Sequence, residues 1–257
     1  MKRVRVIPVI MIDNDRGVIT RRFKKPVYIG DPINAIKIFN DKEVDELIIL
    51  DITHKGVRTK PNFALIEKMA SESFMPLAYG GHVSSVADAN TLINCGVEKI
   101  SFNTALYRNP AMIRELSSRF GRQSIVASVD VAKNWLGNYV VKTQNGRQSI
   151  GTNLEAIVTS IINLGVGEIL LNSIDRDGSL MGYDGELIQR VTRHLKVPLI
   201  ACGGGNSIND FVKAVKICRA SAVAAGALFF FKGSFNAVLV NYPDQATLTS
   251  ELYSHVD

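Results

Sequence analysis

Eight short apolar segments, separated by stretches of helical periodicity, constrain the fold of this chain more than any other feature of its sequence. Parallel strands that are buried on both faces read as nearly continuous apolar runs, and these segments have that character. Regular alternation of strand and helix predicts a parallel sheet, and eight such units predict a (β/α)8 TIM barrel. The segments are VRVIPVIMI (4–12), ELIILDI (46–52), PLAYGG (76–81), KISFNT (99–104), IVASVDV (125–131), EILLNSI (168–174), PLIACGG (198–204) and SAVAAGA (221–227).

The segments between these strands are amphipathic, which predicts the crossover helices of the barrel. The chain has 257 residues, the size of one such barrel, and no linker rich in Ser, Gly or Pro divides it, so we expect a single domain over 1–257. The polar stretch 134–150 contains two glycines and is predicted to form a hairpin-like insertion after the fifth strand. Predicted helices include 32–41, 62–71, 85–94, 110–120 and 153–164.

A weak internal repeat relates the two halves of the predicted barrel. AYGGHVSS (78–85) matches ACGGGNSI (201–208) at an offset of 123 residues, and DELIILDIT (45–53) matches GEILLNSID (167–175) at an offset of 122. Such self-similarity predicts a two-fold repeat of half-barrels, in which the first strand is the counterpart of the fifth. Aligning VIPVIM with IVASVD places Met11 opposite Asp130.

Glycines end two repeat-related strands and precede helices, at Gly80-Gly81 and at 203–205. Glycine lets backbone amides approach an anion closely, and the start of a helix favours negative charge. The next strand tips carry Asn103-Thr104 and Gly226, one beside each glycine loop. One glycine pair alone often just makes a turn, but two pairs at repeat-related positions favour two phosphate sites on opposite sides of the barrel mouth.

Carboxylates at strand tips are the candidates for proton transfer, because active sites of this fold lie where strands end. Asp130 is singled out because it ends an otherwise apolar strand, where ionisation needs support or a raised pKa. For each of these residues, helix capping or loop solvation is the alternative. His82, beside a glycine pair, either touches a phosphate or is a solvated loop residue. The tip carboxylates are Asp13, Asp51, Asp130, Asp175 and Asp177.

The opposite ends of the strands also carry charge. Four charged residues stand at or near the starts of strands one, two, four and six: Arg5, Glu46, Lys99 and Glu168. Buried charges are costly unless they are paired, so a cluster of this kind must form salt bridges. Taken from the residues alone, it is a stability cluster at the barrel bottom.

Composition and residue spacing argue against secreted, membrane-spanning, nucleic-acid-binding and metal-binding proteins. Three widely spaced cysteines without a CxxC motif indicate reduced thiols in a cytoplasmic protein. The apolar run at the start is short and contains acidic residues, so it is not a signal peptide, and no run of 18 apolar residues predicts a membrane span. A net charge of +6 from scattered basic residues does not indicate nucleic acid. We expect no metal and no cofactor, because the histidines lack ligand spacing: His54, His82, His194 and His255.

Specific motifs along the whole chain resemble one family, the cyclase subunit (HisF) of imidazole glycerol phosphate synthase. They are DELIILDIT, YGG, EKISFNTA, the fifth strand ending in Asp130, GEILLNSIDRDGSLMGYD and ACGGG. The resemblance implies an enzyme that receives ammonia from a glutaminase and forms imidazole glycerol phosphate and a carboxamide ribotide. Its substrate carries a phosphate at each end. Phosphate contacts are implied near Gly81, Asn103 and Thr104 in one half, and near Gly178, Gly204 and Gly226 in the other.

The resemblance changes the interpretation of the charged cluster at the barrel bottom. The family has a salt-bridged gate at which ammonia enters, and Arg5, Glu46, Lys99 and Glu168 match its residues one for one. The cluster is therefore predicted to be an ammonia gate. A HisH-like glutaminase subunit is predicted to dock on the same N-terminal face of the barrel.

The sequence departs from the family at the mouth of the barrel. The family uses two aspartates, on strands one and five; Asp130 matches the second, but Met11 stands at the first position. Ile19 replaces an expected lysine, and His82 replaces the third glycine of a loop. Methionine cannot transfer a proton, and loss of a general acid or base costs about 10²–10⁴-fold in rate. Asp13, two residues further along the strand, is the candidate substitute.

Three functions remain open on this basis. The first is a paralogue that keeps the gate and relays ammonia for amidation of a nucleotide sugar in surface polysaccharide biosynthesis, with a sugar amidotransferase as a further partner. The second is a histidine-pathway cyclase with an altered acid/base pair. The third is the sister isomerase, which Met11 and the charged cluster disfavour.

Overall fold

Eight parallel strands close into a barrel in the computed structural model, which describes residues 3–54, 56–193, 195–233 and 237–256. Each strand pairs with the next along the chain, and Arg5 in the first pairs with Ala222 in the last, which closes the sheet. The predicted TIM barrel is confirmed. The strands are β1 (Arg5–Asp13), β2 (Leu47–Asp51), β3 (Leu77–Gly80), β4 (Lys99–Phe102), β5 (Ile125–Lys133), β6 (Glu168–Ser173), β7 (Leu199–Cys202) and β8 (Ala222–Ala225).

Two apolar clusters account for the nearly continuous hydrophobicity of these strands. Side chains alternate between the faces of a strand, so Ile7 and Val9 of β1 point one way while Val6 and Ile10 point the other. The smaller cluster fills the barrel interior, and the larger one lies between the strands and the helices. The interior cluster comprises Ile7, Val9, Ile48, Ala78, Val126, Leu170, Ile200, Ala222 and Ala224.

Helices cover the barrel between successive strands, and short polar residues cap their first turns. Asn62, Ser85 and Asn153 each accept a hydrogen bond from a backbone N–H at the start of a helix, as their residue types favour. The predicted helices are confirmed to within two residues at either end. The helices are Pro32–Asp41, Phe63–Glu72, Val86–Asn94, Thr104–Arg108, Pro110–Phe120, Leu154–Ile162, Gly185–Thr192, Ile208–Val212, Ala227–Phe230 and Gln245–Glu251, and a π-helical turn covers Lys213–Ile217.

Two antiparallel hairpins extend the sheet above the mouth, one in each half of the barrel. The predicted insertion after β5 forms the strands Tyr139–Thr143 and Gln148–Gly151, which continue from the end of β5. A second hairpin after β1, Arg16–Arg21 and Lys24–Gly30, was not predicted because its outer strand is polar and mostly exposed. The two hairpins occupy matching positions in the two half-barrels, as the repeat implies.

None of the helices in the described ranges is long and apolar enough to span a bilayer.

Candidate active site

Side chains alternate between the two faces of a strand, so residues at the bottom and at the mouth of the barrel share one face with its apolar interior. On β1, Arg5, Ile7, Val9 and Met11 share the inward face, so one strand runs from the bottom cluster through the apolar interior to the mouth. The same spacing on β6 orders Glu168, Leu170 and Asn172. Inward-pointing residues of this fold stack in layers, so the bottom charges and the mouth carboxylates lie at opposite ends of one apolar column.

The four charged residues at the bottom form a closed ring of salt bridges. Arg5 Nη1 donates to Glu46 Oε2 at 2.5 Å, and the second guanidinium nitrogen of Arg5 bonds Glu168. Lys99 Nζ lies 2.8 Å from Glu46 Oε1 and 3.0 Å from Glu168 Oε2. Each cation contacts both anions, so the two buried carboxylates are paired on both sides. The structure therefore brings all four predicted gate residues together, and their role as a gate stays a prediction.

Asp130 is buried at the top of the interior face of β5. Its carboxylate accepts hydrogen bonds from Asn103 Nδ2 at 3.1 Å and from Ser128 Oγ at 3.4 Å. Burial and, to a smaller extent, the nearby Asp177 carboxylate raise the pKa of Asp130 to about 7, against a smaller opposing effect of the hydrogen bond from Ser128. A carboxyl group with such a pKa can both take and give a proton near neutrality.

Asp177 is the second carboxylate of the mouth, in the loop after β6. Thr20 Oγ1, on the hairpin after β1, donates to Asp177 Oδ2 at 2.7 Å, and the Phe23 amide donates to the same oxygen at 3.2 Å. Burial nevertheless raises the pKa of Asp177 above its ordinary value. The Thr20 hydroxyl also lies 3.6 Å from the sulfur of Met11. Sequence reasoning missed Thr20, because its partner is 157 residues away.

Met11 and Asp13 occupy different environments. Met11 is 7% exposed and faces the mouth with Ile19, whereas Asp13 is half-buried at the end of β1 and accepts a hydrogen bond from Asn14 Nδ2 at 3.0 Å. Among the described residues, no hydrogen bond or ion pair joins Asp13 to Asp130. The structure thus pairs Asp130 with Asp177, and the substitution of Asp13 for the missing acid stays a prediction.

Asp51, at the tip of β2, is held as an anion by a polar network. Burial alone would raise its pKa, but the nearby His82 ring, the amide and hydroxyl of Thr53 and the guanidinium of Arg58 outweigh burial and lower the pKa to about 2. Arg58 Nη1 donates to Asp51 at 2.9 Å, and Tyr79 OH donates to it at 3.3 Å. Asp51 is therefore a fixed negative charge and not a proton donor.

His82 lies against this network with its side chain only 4% exposed. Its Nε2 is 3.6 Å from Asp51 Oδ1, beyond a hydrogen bond, and neither ring nitrogen has a hydrogen-bonding partner among the described residues. Its backbone is left-handed, with φ of 58°. The preceding Gly81 has φ of +124°, and a side chain there would come within 2.4 Å of the Asp51 carbonyl. Only glycine fits at that position, so the chain passes tightly over β2.

The remaining residues of the first predicted phosphate site are joined to the hairpin after β5. Thr143 Oγ1 lies 2.8 Å from Asn103 Oδ1 and 2.8 Å from Thr104 Oγ1. Asn103 in turn bonds Asp130, so this site and the candidate catalytic carboxyl share one network. Sequence reasoning placed Asn103 and Thr104 correctly at a strand tip but missed Thr143.

The second predicted phosphate site surrounds a small, partly open cavity of about 30 Å³ between β1, β6, β7 and β8. Gly204 has φ of +102°, and a side chain there would come within 2.4 Å of the Gly182 carbonyl. Ile19 packs against Gly226, with its Cδ1 3.1 Å from the place of a side chain. The three predicted glycines share this cavity with apolar residues, one amide, one carboxylate and one thiol, and its lining comprises Val9, Met11, Ile19, Leu50, Asn172, Asp177, Gly178, Leu180, Cys202, Gly203, Gly204, Gly205, Ala225, Gly226 and Ala227.

Comparison with known proteins decides the family. The model of the family described as histidine biosynthesis protein matches residues 5–235, the barrel strands included. The chain belongs to this family. It is 45% identical over 95% of its length to a protein of Pseudomonas aeruginosa, covering 97% of that protein, which is provisionally named imidazole glycerol phosphate synthase subunit hisF2. A similarly provisional HisF of Leptospira borgpetersenii is 42% identical over 95% of the chain and 96% of that protein.

The chain is also similar to a HisF protein whose name is not provisional. Imidazole glycerol phosphate synthase subunit HisF of Streptomyces coelicolor is 39% identical over 89% of the chain and 90% of that protein. The resemblance found in the sequence is therefore confirmed at the level of a HisF-like subunit of the synthase.

In the described part of the chain, no group of three His, Cys, Asp or Glu side chains is placed to hold a metal ion. His194 lies outside the described residues.

Proposed function

We propose that this chain is the ammonia-accepting subunit of a glutamine-dependent synthase, which docks a HisH-like glutaminase and passes ammonia through its barrel. The observation that carries the proposal is the closed ring of Arg5, Glu46, Lys99 and Glu168 at the end of the barrel opposite the mouth carboxylates. A stability cluster needs only paired charges, but this ring stands at the end of an apolar column that leads to the candidate active site. An apolar column admits neutral ammonia more readily than ammonium, because burying an unpaired charge is costly.

The N-terminal face supports docking of such a partner. An open cleft of about 590 Å³ lies beside the ring and is lined by Arg3, Arg5, Asn40, Phe74 and Met75, among other residues. Phe74 is 88% exposed on this face. Exposed aromatic and arginine side chains around a concavity are typical anchors of protein interfaces. A glutaminase seated here would release ammonia next to the ring.

At the mouth, we propose that ammonia is relayed onward for amidation of a nucleotide sugar in surface polysaccharide biosynthesis. Met11 and Ile19 give the second glycine site an apolar wall, which does not favour a phosphate. Arg176, in the adjoining loop, donates to the carbonyls of Met181 and Gly182 at 2.8 Å and 3.3 Å, so its charge already has partners. A sugar amidotransferase is the proposed third partner.

The alternative is a histidine-pathway cyclase acting on the bis-phosphorylated ribotide. The pair Asp130 and Asp177 favours it, because two coupled carboxyl groups with raised pKa values suit acid/base catalysis. Asp177, instead of Asp13, would then take the place of the strand-one acid that Met11 has replaced.

Cyclase turnover of the purified protein with ammonium salt and the ribotide discriminates between the two. Turnover of roughly 1 s⁻¹ or more would establish the cyclase and overturn the relay. No turnover by the wild type, together with binding of the glutaminase and passage of its ammonia, supports the relay. Asp130→Asn is the matched control, since it must abolish any turnover that belongs to this site.

A further inference from the structure

Asn172 is a polar residue of the barrel interior with no role in the function proposed above. It lies on β6 two residues beyond Leu170, and therefore on the same inward face. In the sheet its neighbours are Asp130 of β5 and Cys202 of β7. It is thus the amide at the top of the apolar column, next to the candidate catalytic carboxyl.

The side-chain oxygen of Asn172 is buried without a hydrogen-bonding partner among the described residues, and the residue is only 5% exposed. Its Oδ1 faces Gly203, 2.8 Å from where a side chain on that glycine would begin, and Asn172 and Gly203 both line the cavity of about 30 Å³. A buried acceptor left unpaired is destabilising. The cavity therefore offers an acceptor to a small molecule with N–H or O–H donors.

Size and polarity restrict the molecule that fits. A volume near 30 Å³ has room for a molecule of about the size of water. The polar side chains of its lining include the Asn172 oxygen and the Asp177 carboxylate, both acceptors, while Met11 and Ile19 form an apolar wall. An anion would be repelled by these oxygens, whereas ammonia presents three donors to them.

We infer that Asn172 Oδ1 and the Asp177 carboxylate hold an ammonia molecule at the mouth of the barrel, an inference that rests on the proposed function. This waiting site lies between the apolar column of the barrel and the molecule that finally receives the ammonia. The position of Asn172 supports this assignment, because Asp130 is its neighbour in the sheet and the waiting site therefore lies next to the candidate catalytic carboxyl. Asn172 then positions the ammonia, and the chemistry takes place elsewhere.

The methyl group of Met11 provides the test, because it lines the same cavity. The protein is labelled with [methyl-¹³C]methionine, Met11 is assigned through Met11→Leu, and ammonium chloride is titrated against potassium chloride at pH 8.5. The Met11 methyl resonance should shift saturably with ammonium and not with potassium. Asn172→Leu, which removes the acceptor at similar volume, should weaken this response about tenfold. The matched Asn163→Leu on the exposed surface should leave it unchanged.

The inference is overturned by the absence of a saturable shift up to about 1 M ammonium, or by the same response in Asn172→Leu as in the wild type. Equal shifts with potassium also overturn it, because they show a cation site and no need for N–H donors. The titration uses this chain alone, so it tests the waiting site separately from the relay. A shift without passage of glutaminase-derived ammonia supports the waiting site and contradicts the relay. Passage of ammonia without a shift supports the relay and contradicts the waiting site.

Discussion

Burial of the Asp130 carboxyl predicts that the stability of the protein depends on pH near neutrality. Its pKa in the folded protein is about 7, against an ordinary value of 3.8. Each tenfold change in an acid dissociation constant is worth about 1.4 kcal/mol, so ionising the buried carboxyl costs the folded state about 4 kcal/mol more than ionising it in the unfolded chain.

The sign of the effect on stability follows from proton binding. Between pH 4 and pH 7 the unfolded chain has lost this proton while the folded protein keeps it, so the contribution of Asp130 to the free energy of unfolding falls as pH rises. It is constant below and above this window. Asp130→Asn removes the effect, and its stability relative to the wild type should therefore increase by about 3 kcal/mol between pH 5 and pH 8.

Urea denaturation of the two proteins at both pH values measures this difference. Asp41→Asn, on the exposed end of a helix, reports what the same chemical change does at the surface. The direct assay is a ¹³C NMR titration of aspartate carboxyl groups, with Asp130 assigned through Asp130→Asn. In Asp177→Asn the midpoint of Asp130 should move down, because a neighbouring negative charge has been removed. A midpoint below pH 5 in the wild type would refute the argument from burial.

Three further variants test other parts of the structure. Thr20→Val removes the donor to the buried Asp177 and should lower the free energy of unfolding by about 1–3 kcal/mol in urea. Lys99→Met leaves the two buried carboxylates of the ring with one cation, and since the lysine is 20% exposed we expect a loss of about 2 kcal/mol, together with altered glutamine-dependent activity in the complex. Phe74→Ala should weaken glutaminase binding at least fivefold by calorimetry, with unfolding changed by less than about 0.5 kcal/mol, because its side chain is exposed.

Features of the fold that depend on local pattern were predictable from the sequence. Apolar runs and amphipathic segments have periods that follow from backbone geometry, so the eight strands and the helices between them could be placed. The closed ring at the barrel bottom was also predictable in outline, because Arg5 and Glu168 stand at strand starts and buried charges must be paired.

Features that depend on tertiary contact were not predictable in the same way. Thr20 is an unremarkable residue in a polar hairpin strand until folding brings it to Asp177. Asn172 was included in a strand segment, but its missing partner is visible only once the cavity beside Gly203 is known. Side chains two residues apart share a face of a strand, so Glu168 at the bottom and Asn172 at the mouth both point inward from β6. This alternation was the sequence signal that could have identified Asn172.

The surroundings of Met11 determine how the lost acid could be restored. Met11→Asp alone would place a third carboxyl beside the coupled pair Asp130 and Asp177, facing an apolar wall formed by Ile19, so we expect it to be destabilising above neutral pH. Adding Ile19→Lys supplies a cation at the position where the family resemblance implies one. The double variant should therefore unfold at higher urea concentration than Met11→Asp at pH 8, and should show more cyclase turnover with ammonium. If the double variant is no more stable than the single one, the apolar wall is not what excludes charge from this mouth, and the loss of the acid at position 11 has another cause.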